Sequence, residues 1–312
     1  MGILLHILWV NVLPLTLMIA IGFTIQRLFS LDIKTLSKLN FYVFSPAVIF
    51  NLLYTTDISA PLIGKVILFI AIFLLLQGAG VELVIRLRGL NGGMRGAMRN
   101  SVLFYNSANY GIPLNQLAFS GNPYTLGVQI IVMVSQSLIP NTYGIYSVNA
   151  HKTNLRGVMK TIISQPIIYV IPIAFLFNWF NVVLPKPVET PIVYLADAFI
   201  GTALLTLGVQ LGSMKWKLDR SLLSNVLLSN FLRLAIGPAL AGLILWGLGF
   251  FLEFDRMLAA ALIVSSAVPT SLSSVLLAVE FDNEAEFASQ TVFISTVLSI
   301  ITVSVVIYLL HI

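Results

Sequence analysis

Two prolines, Pro113 and Pro269, interrupt long apolar stretches of a 312-residue chain and stand 156 residues apart, half its length. The first lies in Asn106-Ser-Ala-Asn-Tyr-Gly-Ile-Pro113 and the second in Ser265-Ser-Ala-Val-Pro269-Thr-Ser-Leu-Ser-Ser274. Proline lacks an amide donor and clashes with the preceding turn, so a helix is expected to break at each. The surroundings make this unusual. Apolar residues form 58% of the chain and charged residues only 9%, against roughly 25% charged in a soluble domain. The solvent is therefore mostly lipid, where broken backbone is tolerated only if protein buries it or a watery cavity meets it. Paired interruptions at matching places in two halves of such a chain point to a transporter's binding site.

The rest of the composition narrows the chemistry. With no cysteine, disulfides and thiolate sites are excluded. His6, His151 and His311 are scattered near expected helix ends, so no histidine metal centre is expected, and no cofactor. The net charge of +5 does not point to nucleic acid, because the basic residues sit in short loops between apolar spans. The first apolar stretch runs from Ile3 to about Phe23. That exceeds a signal-peptide core of about 7–15 residues and reads as a retained first span.

A bilayer-crossing helix needs about 20 apolar residues. Ten such segments are expected, near 3–26, 35–54, 62–85, 98–119 and 124–148, then 158–180, 190–212, 221–251, 256–279 and 285–311. Adding 156 to the first five lands in or close to the second five. Ser107-Ala108 is echoed by Ser266-Ala267, and Gln129-Ile-Ile-Val-Met-Val-Ser135 by Gln290-Thr-Val-Phe-Ile-Ser295. The expected halves are 1–150 and 151–312. Thirteen of the 17 basic residues fall in the loops after spans one, three, five and seven. The positive-inside rule makes that face cytoplasmic and puts both termini outside a multi-pass cell-membrane protein. Asp282, Glu284 and their acidic neighbours in the last loop count little in this rule. Five spans per half is odd, so the second half enters from the opposite side and the repeats are inverted.

Several segments resemble the auxin efflux carrier family, which includes plant auxin exporters and bacterial malate or malonate permeases. The most specific is Ser265-Ser-Ala-Val-Pro-Thr270, through Leu277-Ala-Val-Glu-Phe-Asp-Asn283, to Ser289-Gln-Thr-Val-Phe-Ile-Ser-Thr296. Tyr110-Gly-Ile-Pro-Leu114, Phe231-Leu-Arg-Leu-Ala-Ile-Gly-Pro238, Ala196-Asp-Ala198, Thr206-Leu-Gly-Val-Gln-Leu211 and Phe41-Tyr-Val-Phe-Ser-Pro46 also fit. The resemblance covers essentially the whole chain, without the long central loop of many plant members. It implies an all-α membrane fold of ten helices in two inverted five-helix repeats, with broken helices 4 and 9 crossing, like sodium/proton antiporters or bile-acid transporters. It also implies a scaffold of helices 1, 2, 6 and 7 and a transport domain of helices 3–5 and 8–10 moving as an elevator. A homodimer through the scaffold helices is a further expectation. Some plant relatives pair a lysine like Lys65 with an aspartate one turn earlier, but Pro61 stands there in this chain. Gln165-Pro166 takes the place of an Asn-Pro pair.

The second half of a broken helix begins with unpaired amides carrying about half a positive charge. Two such ends meeting at midplane make an anion site. The expected substrate site is therefore Asn106, Asn109, Tyr110, Gly111 and Pro113 at the first break, with Ser266, Pro269, Thr270 and Ser271 at the second. The alternative is plain: prolines also kink membrane helices, and small polar residues also pack them together. Asp197 and Arg233 lie inside spans, where ionisable groups are costly. They are expected either to couple or gate transport or to form a structural ion pair. Lys65, Gln210 and Gln290 are lesser candidates for coupling or gating, with snorkelling or helix packing as the alternative.

The expected function is a secondary carrier of a small organic anion, with a carboxylate as the expected class, that consumes no ATP: no Gly-x-x-x-x-Gly-Lys-Ser/Thr segment occurs. Uniport and proton or sodium coupling remain open. A channel, which needs a continuous pore, and a proton- or sodium-coupled antiporter for another solute are the rival readings. An enzyme is disfavoured, since there is no His-Glu-x-x-His segment and the serines near the breaks lack a base.

Overall fold

A computed structural model of the chain describes residues 13–55, 59–144, 166–213 and 220–312, with Trp9 and Ile163. Among the described residues there is no strand. The helices are α1 (Leu13–Phe29), α2 (Ile33–Leu39), α3 (Ser45–Thr55), α4 (Ala60–Leu87), α5 (Gly92–Leu103), α6 (Gly111–Ala118) and α7 (Pro123–Ile139). They continue as α8 (Ile167–Trp179), α9 (Lys186–Ser213), α10 (Arg220–Phe231), α11 (Gly237–Leu248), α12 (Arg256–Ser266), α13 (Ser273–Glu280) and α14 (Ala285–Leu310). A π turn at Asn40–Phe44 joins α2 to α3, and another at Leu232–Ile236 joins α10 to α11. Five stretches are long and apolar enough to cross a bilayer: Thr35–Thr55, Ala60–Leu87, Lys186–Ser213, Leu222–Leu248 and Ala285–Leu310. The chain is thus an all-helical, multi-pass membrane protein. His6, His151, Gln165 and the basic residues Lys152, Arg156, Lys160, Lys215 and Lys217 lie outside the described residues.

The helix starts follow from local chemistry. Ser59, Asn122 and Asp255 cap α4, α7 and α12, each side chain accepting from an amide of the first turn. Pro123 follows its cap directly, where a missing donor costs nothing. Burial raises the Asp255 carboxyl pKa, but hydrogen bonds from the Tyr124 hydroxyl and nearby amides outweigh it and hold the group below the usual range. Pro172 and Pro191 lie inside α8 and α9 without ending them.

Packing sorts the helices. The backbones of α1 and α9 touch at two glycines: a Cβ on Gly22 would sit 2.2 Å from the Leu205 oxygen, and one on Gly208 2.1 Å from the Ile19 oxygen. Small residues permit such close approach between membrane helices. Asn40 reinforces the assembly, donating to the Thr206 hydroxyl at 2.7 Å and accepting from Thr202 at 3.1 Å. α3 packs on α8 and α9, and the Asn178 amide donates to the Tyr54 carbonyl at 2.8 Å.

Candidate functional site

α5 stops at Leu103 and α12 at Ser266, and the chain resumes helix at Gly111 and Ser273. The two gaps lie against each other as a short antiparallel bridge between Tyr105 and Thr270. The Asn106 amide donates to the Pro269 carbonyl at 2.8 Å, and the Ser271 amide donates to the Phe104 carbonyl at 2.8 Å. The two bonds are the reciprocal pair of an antiparallel bridge, with Tyr105 opposite Thr270. Pro269 lies in its gap, whereas Pro113 is the third residue of α6, past the gap it was expected to cause. A proline in the first turn of a helix interrupts nothing. We therefore expect Pro269→Ala to lower transport about tenfold (about 1.4 kcal/mol) with membrane insertion intact. Pro113→Ala should stay within about twofold of wild type. Equal losses in uptake assays of both variants would refute this asymmetry.

Arg233 lies under the crossing, fully buried in the π turn before α11. Its guanidinium donates to the Val102 carbonyl at 3.2 Å, to the Ser266 carbonyl and to the Gln77 side chain at 3.4 Å. It stacks over Tyr105, 4.3 Å from the ring centroid. Val102 and Ser266 lie in the last turns of the first halves of the two broken helices, where dipoles leave about half a negative charge each. One guanidinium offsets both. The expected ion pair with Asp197 does not form: Asp197 is exposed on α9, and no ion pair or hydrogen bond reaches it among the described residues. Carbonyl oxygens fill the role that sequence reasoning gave to a carboxylate.

The other expected residues divide by what their polar atoms do. Thr270 donates to the Ser101 carbonyl at 2.9 Å, and its amide donates to the Ser295 hydroxyl at 3.1 Å. Ser266 donates to the Ile263 carbonyl at 2.7 Å. Ser271 meets Ser273 at 3.2 Å. The Tyr110 hydroxyl accepts from Ser299 at 3.0 Å. Gly111 lies so close to Gln129 that a Cβ would sit 2.4 Å from its side-chain nitrogen. Thr270 joins the two breaks and Tyr110 anchors the first to α14, whereas the Ser266 and Ser271 hydroxyls are used within their own segment. Asn106 and Asn109 differ, since their side chains donate to no described residue. The Asn106 carbonyl accepts from Gly111 at 2.9 Å, closing a loop around Ser107–Tyr110.

The first amides of the second half-helices are not open, contrary to expectation. Gly111 and Ile112 donate to Asn106 and Ala108, and Ser273 and Ser274 donate to Ser271. The amides of Asn109 and Tyr110, inside the closed loop, have no acceptor in the described chain.

Two glutamines on α7 were missed. Gln129 donates to the Ser107 carbonyl at 2.8 Å and accepts from the Ser265 hydroxyl, tying the two breaks together. Gln136 accepts from the Tyr105 amide at 3.3 Å and donates to the Leu103 carbonyl at 3.4 Å. Seven residues apart, they share one helix face, which is the signal that sequence could offer.

The lesser candidates lie elsewhere. Lys65 donates to the Glu253 carbonyl and sits 5.8 Å from the Phe254 ring, at the loop before α12. Gln210 donates to the Ser37 hydroxyl at 3.2 Å, between α9 and α2. Gln290 is buried on α14.

Known proteins give this geometry its setting. Residues 124–307, more than half of the chain, match a family of membrane transport proteins. An uncharacterized transporter of Methanothermobacter thermautotrophicus is 24% identical over 299 residues, covering 94% of this chain and 95% of that protein. A transport role thus agrees with two hydrogen-bonded breaks in apolar helices, and the chain belongs to the membrane transport protein family, the auxin efflux carrier group whose motifs it carries.

Proposed function

We propose that this transporter is a secondary carrier that moves a small organic anion of the carboxylate class by an elevator motion. The observation that carries the reading is the pair of crossed breaks with Arg233 beneath them. Two helix C-termini contribute about one negative charge, which the guanidinium offsets. With those ends offset, the crossing carries no net negative charge to repel an anion. Asn106, Asn109 and the amides of Asn109 and Tyr110 supply donors for a carboxylate. The ten-helix inverted repeat is supported by two helix breaks, one in each half of the chain, that meet at the crossing, and by shorter apolar helices that add to the five long ones.

A segregation of polar contacts supports the division into two bodies. Asn40 with Thr202 and Thr206, Ser37 with Gln210, and Tyr54 with Asn178 join helices of the scaffold set, spans 1, 2, 6 and 7. Ser101 with Ser229, Thr270 with Ser295, Gln129 with Ser265, and Tyr110 with Ser299 join helices of the moving set. Among the described residues the contact traced between the sets is apolar: Val48, Ile49 and Leu53 belong to one cluster with Ile112, Leu126, Ile130 and Met133. Apolar surfaces slide without exchanging hydrogen bonds, whereas a polar seam would have to break at each cycle.

Uptake or counterflow of mono- and dicarboxylates, indole acids included, into proteoliposomes tests the reading. Saturable uptake of at least one carboxylate is expected; single-channel currents would overturn it. Asp197 is the group proposed to couple transport to an ion, being ionisable and unpartnered among the described residues on the scaffold set. Asp197→Asn is expected to remove the pH or sodium dependence of uptake while leaving the melting temperature unchanged. Retained dependence would make Asp197 structural. The orientation with basic loops in the cytoplasm, both termini outside, and a homodimer through the scaffold helices complete the proposal.

A further inference from the structure

A second polar feature lies away from the crossing, on the face that carries the basic loops. Glu82 on α4 accepts from three arginines: Arg86 at 3.4 Å, Arg99 at 2.9 Å through its Nε, and Arg95. Three cations on one carboxylate leave a net charge of about +2. Arg99 faces Glu82 with two nitrogens, while Arg86 and Arg95 remain 75% and 45% exposed and keep donors free. These side chains rim a cavity of about 550 Å³. Apart from Tyr143 the rest of the lining is apolar, built from Leu74, Leu75, Gly78, Leu103 and Ile139. Leu75 is 73% exposed, so the apolar lining runs out laterally onto the open face of α4, a helix long enough to cross a bilayer. At Gly78 on the same wall, a Cβ would meet nothing within 4 Å.

A soluble anion would suit the arginines alone. The apolar wall, the lateral opening and the empty space beside Gly78 add a requirement that only an amphiphile meets. We propose that this cleft binds an anionic phospholipid, with its phosphate on Arg86 and Arg95 and one acyl chain along α4 past Gly78. Positive residues next to a membrane span attract anionic headgroups in just this way. The inference rests on the chain spanning a membrane and is independent of the transported substrate.

The test uses the full-length protein, purified in detergent and stripped of lipid, with binding read by native mass spectrometry and melting temperature. The probes are dioleoylphosphatidylglycerol, dioleoylphosphatidylcholine and soluble glycerol 3-phosphate. Phosphatidylglycerol is expected to bind and raise the melting temperature, and the other two are not. Each basic residue near a membrane surface contributes roughly fivefold in affinity, so Arg86→Gln/Arg95→Gln should weaken phosphatidylglycerol binding about 25-fold. Gly78→Phe fills the chain's path without altering charge and should also displace the lipid, with the lipid-free melting temperature kept. Equal binding of the two phospholipids would overturn the proposal. So would an equal response to glycerol 3-phosphate, or phosphatidylglycerol binding that survives both variants.

Discussion

Arg233→Gln is expected to lose both thermal stability and anion uptake, the largest loss of any single substitution considered. The wild-type guanidinium serves the Val102 and Ser266 carbonyls at once, inside a fully buried site. A hydrogen bond to a charged group contributes about 1.5–3 kcal/mol, so losing two comes to about 3–6 kcal/mol. Net stabilities are roughly 5–15 kcal/mol, so this is a large share. Two helix C-termini would also regain their negative ends beside the proposed anion site. Arg233→Lys separates the two effects. Its ammonium keeps the charge but lacks the planar fork that spans both carbonyls. It should melt between wild type and Arg233→Gln and retain measurable uptake. A direct substrate contact predicts another pattern: Arg233→Gln would lose binding and keep its melting temperature. Unchanged stability and unchanged uptake together would refute both roles.

Arg233 also marks the limit of what sequence can reveal. Its place inside an apolar span was legible, and so was the need for a partner. The partner was not, because backbone carbonyls carry no residue identity and only the fold brings the ends of α5 and α12 under one guanidinium. The breaks themselves were legible from apolar runs interrupted by Asn, Ser, Gly and Pro. Their register was not: Pro113 drew attention to the first turn of α6, while the gap lies upstream around Tyr105. Ser266, Thr270 and Ser271 had the right chemistry for a ligand, but the crossing uses their hydroxyls internally. Side-chain type gives the capacity to donate, and packing decides who accepts. The same holds for Gln129, whose echo in Gln290 was visible without its bridge between Ser107 and Ser265.

Asn106→Ala/Asn109→Ala should have the largest effect on substrate affinity and a small effect on stability. Both side chains adjoin the first break, yet neither donates to a described residue, so their removal takes away no internal hydrogen bond traced at the crossing. Asn106 holds the crossing through its backbone amide and carbonyl, which alanine retains. If each amide donates to a bound carboxylate, each is worth about 1.5–3 kcal/mol, or roughly 10- to 150-fold in affinity. The double variant is then expected to bind at least about 100-fold more weakly, with melting temperature near that of wild type in the absence of substrate. Stabilisation by a saturating carboxylate ligand gives a second readout, because binding to the folded state raises the melting temperature by mass action. That increment should vanish in the double variant at a ligand concentration that saturates wild type. Asn106→Asp/Asn109→Asp sharpens the test, since a carboxylate ligand would meet like charge instead of donors. It should bind more weakly still than the alanine variant. Equal carboxylate affinity in wild type and both double variants would place the substrate elsewhere and leave the crossed breaks as a hinge of the fold.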